Sequence, residues 1–275
     1  MFARGPRVQF VVVGVQKAGT TALFHFLAKH PKVTVPDLKE LHFFDDDRRC
    51  WNAPAYGEYH RKFPWRWGGL RGEATPSYIW WPQALERLAA YNPRMRIIVI
   101  FRDPVMRAHA HWRMTRERGY ETLDFSTAIR SGRNRMAGVA PDDQAIRRFS
   151  YVERGFYGAQ SARLLSLFPR EQVLMLRQED LSSDHDSTLR RVFDFLGLPD
   201  HRIAQERVFE GTFRAPLAAA DADLLADIYA DDMARFEHLT GLDISVWTRL
   251  KHRRGTEKMP PADGSITLAR KAATG

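Results

Sequence analysis

The sequence predicts a single α/β domain with a central, mainly parallel sheet flanked by helices. Three apolar runs carry this prediction, at residues 8–13, 95–101 and 172–176. Each run is short and rich in apolar side chains, which is typical of strands buried on both faces of a parallel sheet. A polar turn and a helical pattern follow the first two runs, as in folds built from repeated strand–helix units. Ligands of such folds bind at the carboxyl ends of the strands.

The loop after the first run has a composition that suits an anion. Residues 14–21 have the sequence GVQKAGTT, and a helical pattern follows over 22–29. Backbone N–H groups of such a loop and the positive end of the helix dipole both attract phosphate. Lys17 adds a positive charge, and Thr20 and Thr21 add hydroxyl donors, so the loop predicts phosphate binding. It resembles a P-loop but departs from the pattern GxxxxGK[ST], because the lysine precedes the second glycine.

The remaining elements follow from periodicity and from the residues that end helices. Further helices are predicted at residues 82–90, 105–118, 158–168, 187–196 and 220–240. A short strand is expected at 33–35, a turn at 72–78, and a loop rich in Arg, Gly and Asp at 130–148. The predicted domain spans 1–250. Residues 251–275 are basic and lack periodicity, which predicts a poorly ordered tail.

Composition restricts the class of protein. The chain has 275 residues, 44% of them hydrophobic, and a formal net charge of +9, which favours an anionic partner. Cys50 is the only cysteine, so an intramolecular disulfide is impossible and a cysteine-based metal site is not expected. The apolar run after Arg7 is too short to span a membrane and lacks a signal-peptide cleavage site. We therefore expect a cytoplasmic protein without a membrane span. The sequence does not indicate an oligomeric state.

Residues 37–45, with the sequence DLKELHFFD, combine ionisable and aromatic side chains. A dense aromatic stretch follows, formed by Trp51, Tyr56, Tyr59, Trp65 and Trp67. Such rings have two interpretations, a hydrophobic core or a groove on which a sugar or another ring stacks. The sequence leaves both open.

Several segments, in order along the chain, resemble one family. They are GVQKAGTTAL, KELHFFD, GEATPSY, IIVIFRDPVMRAHAHW and QVLMLRQEDLSSD. Together they resemble the sulfotransferases that use 3′-phosphoadenosine 5′-phosphosulfate (PAPS), particularly the heparan-sulfate (Golgi-type) enzymes and their bacterial relatives. The resemblance covers most of residues 8–245. It implies sulfuryl transfer from PAPS to a hydroxyl or amine of a small-molecule or carbohydrate acceptor, with 3′-phosphoadenosine 5′-phosphate (PAP) as the second product.

The resemblance also implies where PAPS binds. In the family, the first loop holds the 5′-phosphosulfate, so the implied contacts are Gln16, Lys17, Ala18, Gly19, Thr20 and Thr21. Sulfuryl transfer leaves negative charge on the bridging oxygen of the departing phosphate, and Lys17 is the candidate to stabilise that charge. No metal is expected, because Lys17 and the loop supply positive charge.

The RDP segment after the second apolar run resembles the family's 3′-phosphate site. Arg102 matches the arginine of that site, but Ala110 stands where a serine is expected. The candidates to replace the serine contact are His109, His111 and Arg107. The resemblance also implies that Tyr157 and Arg154 lie near the nucleotide and that Arg214 belongs to a loop that closes over the 3′-phosphate. An arginine–phosphate pair is bidentate and strong.

Glu40 matches the glutamate that serves as the base in the heparan-type enzymes. A carboxylate next to an incoming nucleophile is suited to take its proton. The structural alternative for Glu40 is an ion pair with Lys39. His42 is a second candidate base, and its structural alternative is a core histidine. A lysine expected after Glu73 is replaced by Ala74, and Lys39 is the candidate to compensate.

Two other functions compete with this interpretation. A P-loop kinase or NTPase would use Asp103 as a Walker B carboxylate, but Arg102 intervenes and Lys17 is misplaced for that motif. A non-catalytic nucleotide or polyanion binder would use the basic charge and the aromatic rings. The basic residues are scattered and no nucleic-acid-binding motif occurs, so we do not expect a nucleic-acid partner.

Overall fold

The computed structural model describes residues 7–64, 68–136, 144–208 and 211–247. The predicted tail at 251–275, the last residues of the predicted domain, and Trp65 and Trp67 lie outside these ranges. In the part of the chain that is described, no helix is both long and apolar enough to cross a membrane.

A five-stranded parallel sheet forms the centre of the fold, and it confirms the predicted fold class. Its strands, in the spatial order β2-β3-β1-β4-β5, have these bounds: β1 Phe10–Gly14, β2 Val33–Thr34, β3 Leu70–Ala74, β4 Arg96–Phe101 and β5 Val173–Arg177. All of the neighbouring strands are parallel. The chain runs from β1 to one side of the sheet and then crosses to the other, so the carboxyl end of β1 lies at the topological switch point.

Helices cover both faces of the sheet. The helices of the described residues are α1 Thr20–Lys29, α2 Tyr56–His60, α3 Ala84–Tyr91, α4 Pro104–Glu117, α5 Phe125–Met136, α6 Gln144–Phe149, α7 Tyr157–Leu167, α8 Gln178–Ser183, α9 His185–Leu196 and α10 Ala219–Thr240. Side chains alternate between the two faces of a strand. Val11 and Val13 of β1 therefore pack in the core on one face with α10, whereas Phe10 and Val12 pack with α1 and α9 on the other.

Two sequence predictions of local structure are wrong. The segment predicted as a turn at 72–78 includes the second half of β3, whose sequence LRGEA lacks the apolar pattern of a buried strand. Gly72 is needed there because a Cβ atom would lie 2.1 Å from the Phe10 ring. The described part of the predicted loop at 130–148 belongs to α5 and α6. The charged surface of α5 conceals its helical period, and Asp124 caps its start by accepting from the Thr127 amide at 2.9 Å.

Most of the aromatic stretch belongs to the core. Tyr59 is 1% exposed, and its ring centroid lies 4.9 Å from that of Phe43 and 5.1 Å from that of Phe44. Trp51 and Tyr56 contact the same group of rings. The core interpretation is therefore correct for these three residues.

Candidate active site

The loop between β1 and α1 lies at the carboxyl edge of the sheet. The Val15 amide donates to the Ile100 carbonyl at 2.8 Å, which fixes the loop against β4. Gly19 adopts φ +91°, and a Cβ atom at this position would lie 3.3 Å from Cγ of Gln178. The amides of the first turn of α1 have no acceptors within the helix. The loop therefore presents N–H groups and a helix N-terminus at one place, as anion binding requires.

Two cationic side chains accompany this loop. Nη1 of Arg102, directly after β4, donates to the Lys17 carbonyl at 3.2 Å. Burial lowers the pKa of Lys17, and the charges of Arg118, Arg102 and Arg113 lower it further. A bound anion would reverse these effects, because it stabilises the charged form of each side chain.

Glu40 is held beside the end of β3. Its amide donates to the Ala74 carbonyl at 3.1 Å, and Lys39 Nζ donates to its carboxylate at 2.6 Å. Its other carboxylate oxygen lies 3.6 Å from Nε2 of His42. The ion pair with Lys39, the structural alternative for Glu40, is thus present, and it places the Lys39 ammonium group next to the Glu40 carboxylate.

The backbone is strained where these residues lie. Among the described residues, four non-glycine residues have positive φ, and three of them are Lys17 at +70°, Glu40 at +66° and His42 at +49°. Such conformations cost roughly 1–3 kcal/mol each and concentrate at functional sites. The strained conformations therefore fall in the same two segments that the sequence singles out, residues 14–21 and residues 37–45.

Asp45 is a buried hydrogen-bond acceptor that contacts several side chains of the candidate site. Its side chain is 0% exposed, and Oδ2 lies 2.9 Å from Nδ1 of His42 and 2.7 Å from Nη1 of Arg147. The Ser77 hydroxyl donates to the same oxygen at 2.6 Å. Burial alone would raise the pKa of Asp45, but His42, Arg147 and Ser77 reverse this effect and lower it. Asp45 is therefore ionised, and it orients both His42 and Arg147.

The charges of Glu40 and His42 are opposite at neutral pH. Burial disfavours both charged forms, but the hydrogen bonds and charges of His42 and Lys39 outweigh it and lower the pKa of Glu40 to about 2. For His42, the contacts with Asp45 and Glu40 outweigh burial and raise the pKa to about 9. His42 is therefore an imidazolium ion at pH 7 and has no free lone pair for a proton. The expectation of a core histidine is also wrong, because 45% of its side chain is exposed.

The buried carboxyl group of Glu73 helps to hold the segment of residues 37–45 in place. The Tyr78 hydroxyl accepts from the Phe43 amide at 3.0 Å and donates to Glu73 at 3.0 Å. Glu73 is 0% exposed and also accepts from the Tyr59 hydroxyl at 2.9 Å and the Thr75 hydroxyl at 2.6 Å. Burial raises the pKa of Glu73. These bonds connect the backbone of residues 37–45, at Phe43, to Glu73 of β3.

Glu40 and the loop open into one cleft of about 250 Å³. Gln16 of the loop lines it, as do Glu40 and His42. The other charged side chains that line it are Arg118, Arg147, Arg148 and Arg154. The cleft is therefore strongly cationic. No group of three or more side chains suited to a metal ion occurs in the described residues.

Comparison with known proteins identifies the family. The family model described as "Sulfotransferase domain" matches residues 7–216. The chain belongs to the sulfotransferase domain family. This confirms the predicted family, whose sulfuryl donor is PAPS, and gives no support to the kinase or NTPase alternative.

Three similar proteins show the extent of the match. Mouse heparan sulfate glucosamine 3-O-sulfotransferase 3B1 is 34% identical over 203 residues, covering 69% of this chain and 46% of that protein. Human heparan sulfate glucosamine 3-O-sulfotransferase 6 is 35% identical over 192 residues, covering 69% of this chain and 52% of that protein. The crystal structure of a sulfotransferase from Alicyclobacillus acidocaldarius superposes with a TM-score of 0.75 at 27% identity, covering 88% of this chain and 99% of that one. The chain spans about half the length of the curated relatives.

The sulfotransferase fold brings most of the predicted site residues to one edge of the sheet. The loop residues Gln16, Lys17, Ala18, Gly19, Thr20 and Thr21 follow β1, and Arg102 follows β4. Tyr157 is 0% exposed and donates to the Arg102 carbonyl at 3.0 Å, so it supports the backbone of Arg102. Ala110 lies half-buried on α4, and Arg214 is exposed on the loop before α10.

Some residues of the site escaped the sequence prediction. Asp45 belongs to a segment that was recognised, but an aspartate three residues after a histidine gives no signal of its own. Arg147 belongs to the segment that was interpreted as a loop, and its contact with Asp45 joins residues 102 positions apart. Arg154, by contrast, was predicted to lie near the nucleotide, and in the structure it lines the same cleft as Glu40. It is buried and bonded to Ser150 at 2.8 Å.

Proposed function

We propose that this domain transfers a sulfuryl group from PAPS to a hydroxyl or amine of an anionic carbohydrate. The observation that carries the proposal is the shared cleft, which is lined by Glu40 and by Gln16 of the loop between β1 and α1. The similar curated proteins are named as heparan sulfate sulfotransferases, which supports a carbohydrate acceptor.

The residues of the loop fit the phosphosulfate group. Gly19 leaves space and a backbone conformation that a side chain would disturb. In our proposal, the loop amides and Lys17 hold the 5′-phosphosulfate, and Arg102 holds the 3′-phosphate. PAPS supplies an electrophilic sulfur attached to a phosphate leaving group, and Lys17 stabilises the charge that develops on that group.

Glu40 is the residue that accepts the proton of the acceptor. Its pKa of about 2 keeps it ionised in the free protein. An acceptor hydroxyl that replaces the contact of Glu40 with Lys39 removes part of the interactions that lower this pKa, so the carboxylate becomes more basic when substrate binds. His42 stays charged at pH 7 and orients Glu40, while Asp45 orients His42. His42 therefore acts in our proposal as a positioning residue and not as the base.

The charge of the cleft defines the acceptor class. Arg118, Arg147 and Arg148 line it together with the charged His42. Each carboxylate or sulfate of an acceptor can form charge-assisted hydrogen bonds with these groups. A neutral alcohol carries no negative group with which these cations can pair. We therefore propose an acidic sugar as the acceptor. The predicted cytoplasmic location stays a prediction.

The variant Glu40→Gln tests the role of Glu40. It keeps the size of the side chain but removes the proton acceptor, so turnover should fall by roughly 100-fold or more. The affinity for PAP, measured by calorimetry, should change less than about threefold, since Glu40 lies outside the proposed nucleotide contacts. The matched control is Glu86→Gln, on the surface of α3, where Glu86 pairs with Arg163 at 2.5 Å. If Glu40→Gln and Glu86→Gln both retain full turnover, Glu40 is not the base.

A further inference from the structure

Helix α4 begins two residues after Arg102. Residues three and four positions apart share a face of a helix, so Met106, Ala110, Arg113 and Glu117 form one row along α4. Met106 and Glu117 are exposed, and Ala110 and Arg113 are half-buried. Arg113 is the cation of this row, one turn beyond the position where the family resemblance leads us to expect a serine.

The residues that the sequence suggested in place of that serine lie elsewhere. Arg107 and His111 are both 0% exposed. Arg107 donates to the Tyr151 carbonyl, and His111 lines the cleft of Glu40. His109 is 4% exposed, and its ring centroid lies 4.9 Å from that of Phe125. All three are buried, whereas Ala110 and Arg113 are half-buried.

Arg113 is held in place by the loop that carries Arg214. Its Nε donates to the Phe213 carbonyl at 2.9 Å, and the amide of Thr212 donates to Glu117 at 2.8 Å. The bond to Phe213 uses only Nε, so the two terminal nitrogens of the guanidinium, Nη1 and Nη2, take no part in this bond. A guanidinium fixed at Nε in this way is oriented before any ligand binds, which reduces the entropy cost of binding.

Arg113 also belongs to the group of cations around the loop. Burial lowers the pKa of Arg102, and the charge of Arg113 contributes to the lowering. Arg113 likewise contributes to the lowered pKa of Lys17. Like charges repel one another, and a bound dianion such as a phosphate monoester would attract each of these cations and outweigh that repulsion.

We propose that Arg113 is the second ligand of the 3′-phosphate of PAPS, in place of the hydroxyl that is absent at Ala110. The assignment rests on the proposed function, and it gives this protein a guanidinium where a serine is expected from the family resemblance. Arg102 and Arg113 then bind the 3′-phosphate together, and the loop of residues 211–216 is tied to the site through Phe213.

The test compares PAP with 5′-AMP, which lacks the 3′-phosphate. Calorimetry measures both dissociation constants for the wild type and for Arg113→Gln. We expect Arg113→Gln to weaken PAP binding about tenfold or more, since a hydrogen bond to a charged group contributes about 1.5–3 kcal/mol. Binding of AMP should change less than about twofold. Equal weakening of both ligands, or no weakening of PAP, overturns the assignment.

The control variant is Arg116→Gln, which removes the same charge from α4. Arg116 donates to the carbonyls of Glu121 and Leu123, so its guanidinium bonds to a different segment from the loop of Phe213. It should leave the ratio of the PAP and AMP affinities unchanged, and a change as large as that of Arg113→Gln would contradict a specific contact.

A rescue variant distinguishes the loss of a contact with the 3′-phosphate from the loosening of the loop of residues 211–216. Ala110→Ser in the Arg113→Gln background restores a hydroxyl on the same face but cannot restore the bond to Phe213. Recovery of PAP affinity by about threefold, without recovery for AMP, supports the contact. If the wild type itself binds PAP and AMP equally, the proposed function fails together with the 3′-phosphate site, and this result differs from a failure of Arg113 alone.

Discussion

Replacing Asp45 with asparagine tests how the site holds His42 in its charged form. Three donors, from His42, Ser77 and Arg147, approach Oδ2 of Asp45. The other oxygen, Oδ1, is buried without a hydrogen-bond partner among the described residues. An asparagine can keep its oxygen toward the three donors and place its amide at the Oδ1 position. The substitution therefore removes the negative charge with little change in shape.

The expected effect follows from the two contacts of His42. Its pKa is raised from the ordinary value of 6.5 to about 9 by Asp45 and Glu40. The contact with Asp45 is 2.9 Å and that with Glu40 is 3.6 Å, so Asp45 contributes the larger part. We expect Asp45→Asn to lower the pKa of His42 by more than about one pH unit, which corresponds to about 1.4 kcal/mol between the protonation states. Because 45% of the His42 side chain is exposed, screening reduces the accompanying loss of stability at His42 to about 1 kcal/mol.

The assay is an NMR titration of the His42 ring protons between pH 5 and pH 10, with folding checked by tryptophan fluorescence. The matched control is Asp46→Asn, since Asp46 is the next residue and binds Arg48 at 2.9 Å, not His42. The Asp46 variant should leave the titration of His42 unchanged. A folded Asp45→Asn protein in which His42 still titrates near 9 would refute the electrostatic account of this site.

Three further predictions concern the loop and pH. Gly19→Ala forces a side chain to φ +91° and should weaken PAP binding, whereas the control Gly241→Ala, at φ +67° with no atom within 4 Å, should reduce stability alone in thermal melts. Lys17→Met should lower both kcat and PAP affinity in steady-state kinetics and calorimetry, and unchanged kcat would contradict its role at the leaving phosphate. The stabilisation from His42 should be complete below pH 6.5 and lost as the pH rises through about 9. That from Glu40 should be complete above pH 4.5 and lost as the pH falls toward 2, which urea titrations at several pH values measure.

The sequence predicts the parts of this fold that are local in the chain. The strands β1, β4 and β5 are continuous apolar runs, and the anion-binding loop is a contiguous segment after one of them. β3 was missed because its sequence contains Gly72 and Glu73, whose positions depend on the Phe10 ring and on the hydroxyls of distant tyrosines. Tertiary contacts of this kind override local propensity.

For the candidate site, too, the sequence shows only what is local. It singles out Lys17, Glu40 and Arg102 because each belongs to a short pattern with a chemical meaning, and their roles stay predictions. The relations among groups were not predictable, since Asp45 meets Arg147 across 102 residues and Arg113 meets Phe213 across 100. The protonation of His42 depends on its contacts with Asp45 and Glu40, which the folded backbone of residues 40–45 sets. A histidine that the sequence offers as a base is therefore an imidazolium ion in the structure.

Transfer of sulfate itself is the most direct test of the central claim. The wild-type protein is incubated with PAPS and a panel of acidic and neutral oligosaccharides, and mass spectrometry measures the acceptor and PAP together. We predict that an acidic oligosaccharide gains one SO₃ group for each PAP released. Release of PAP without a sulfated product, or no reaction with any acceptor while PAP binds, would contradict the proposed function.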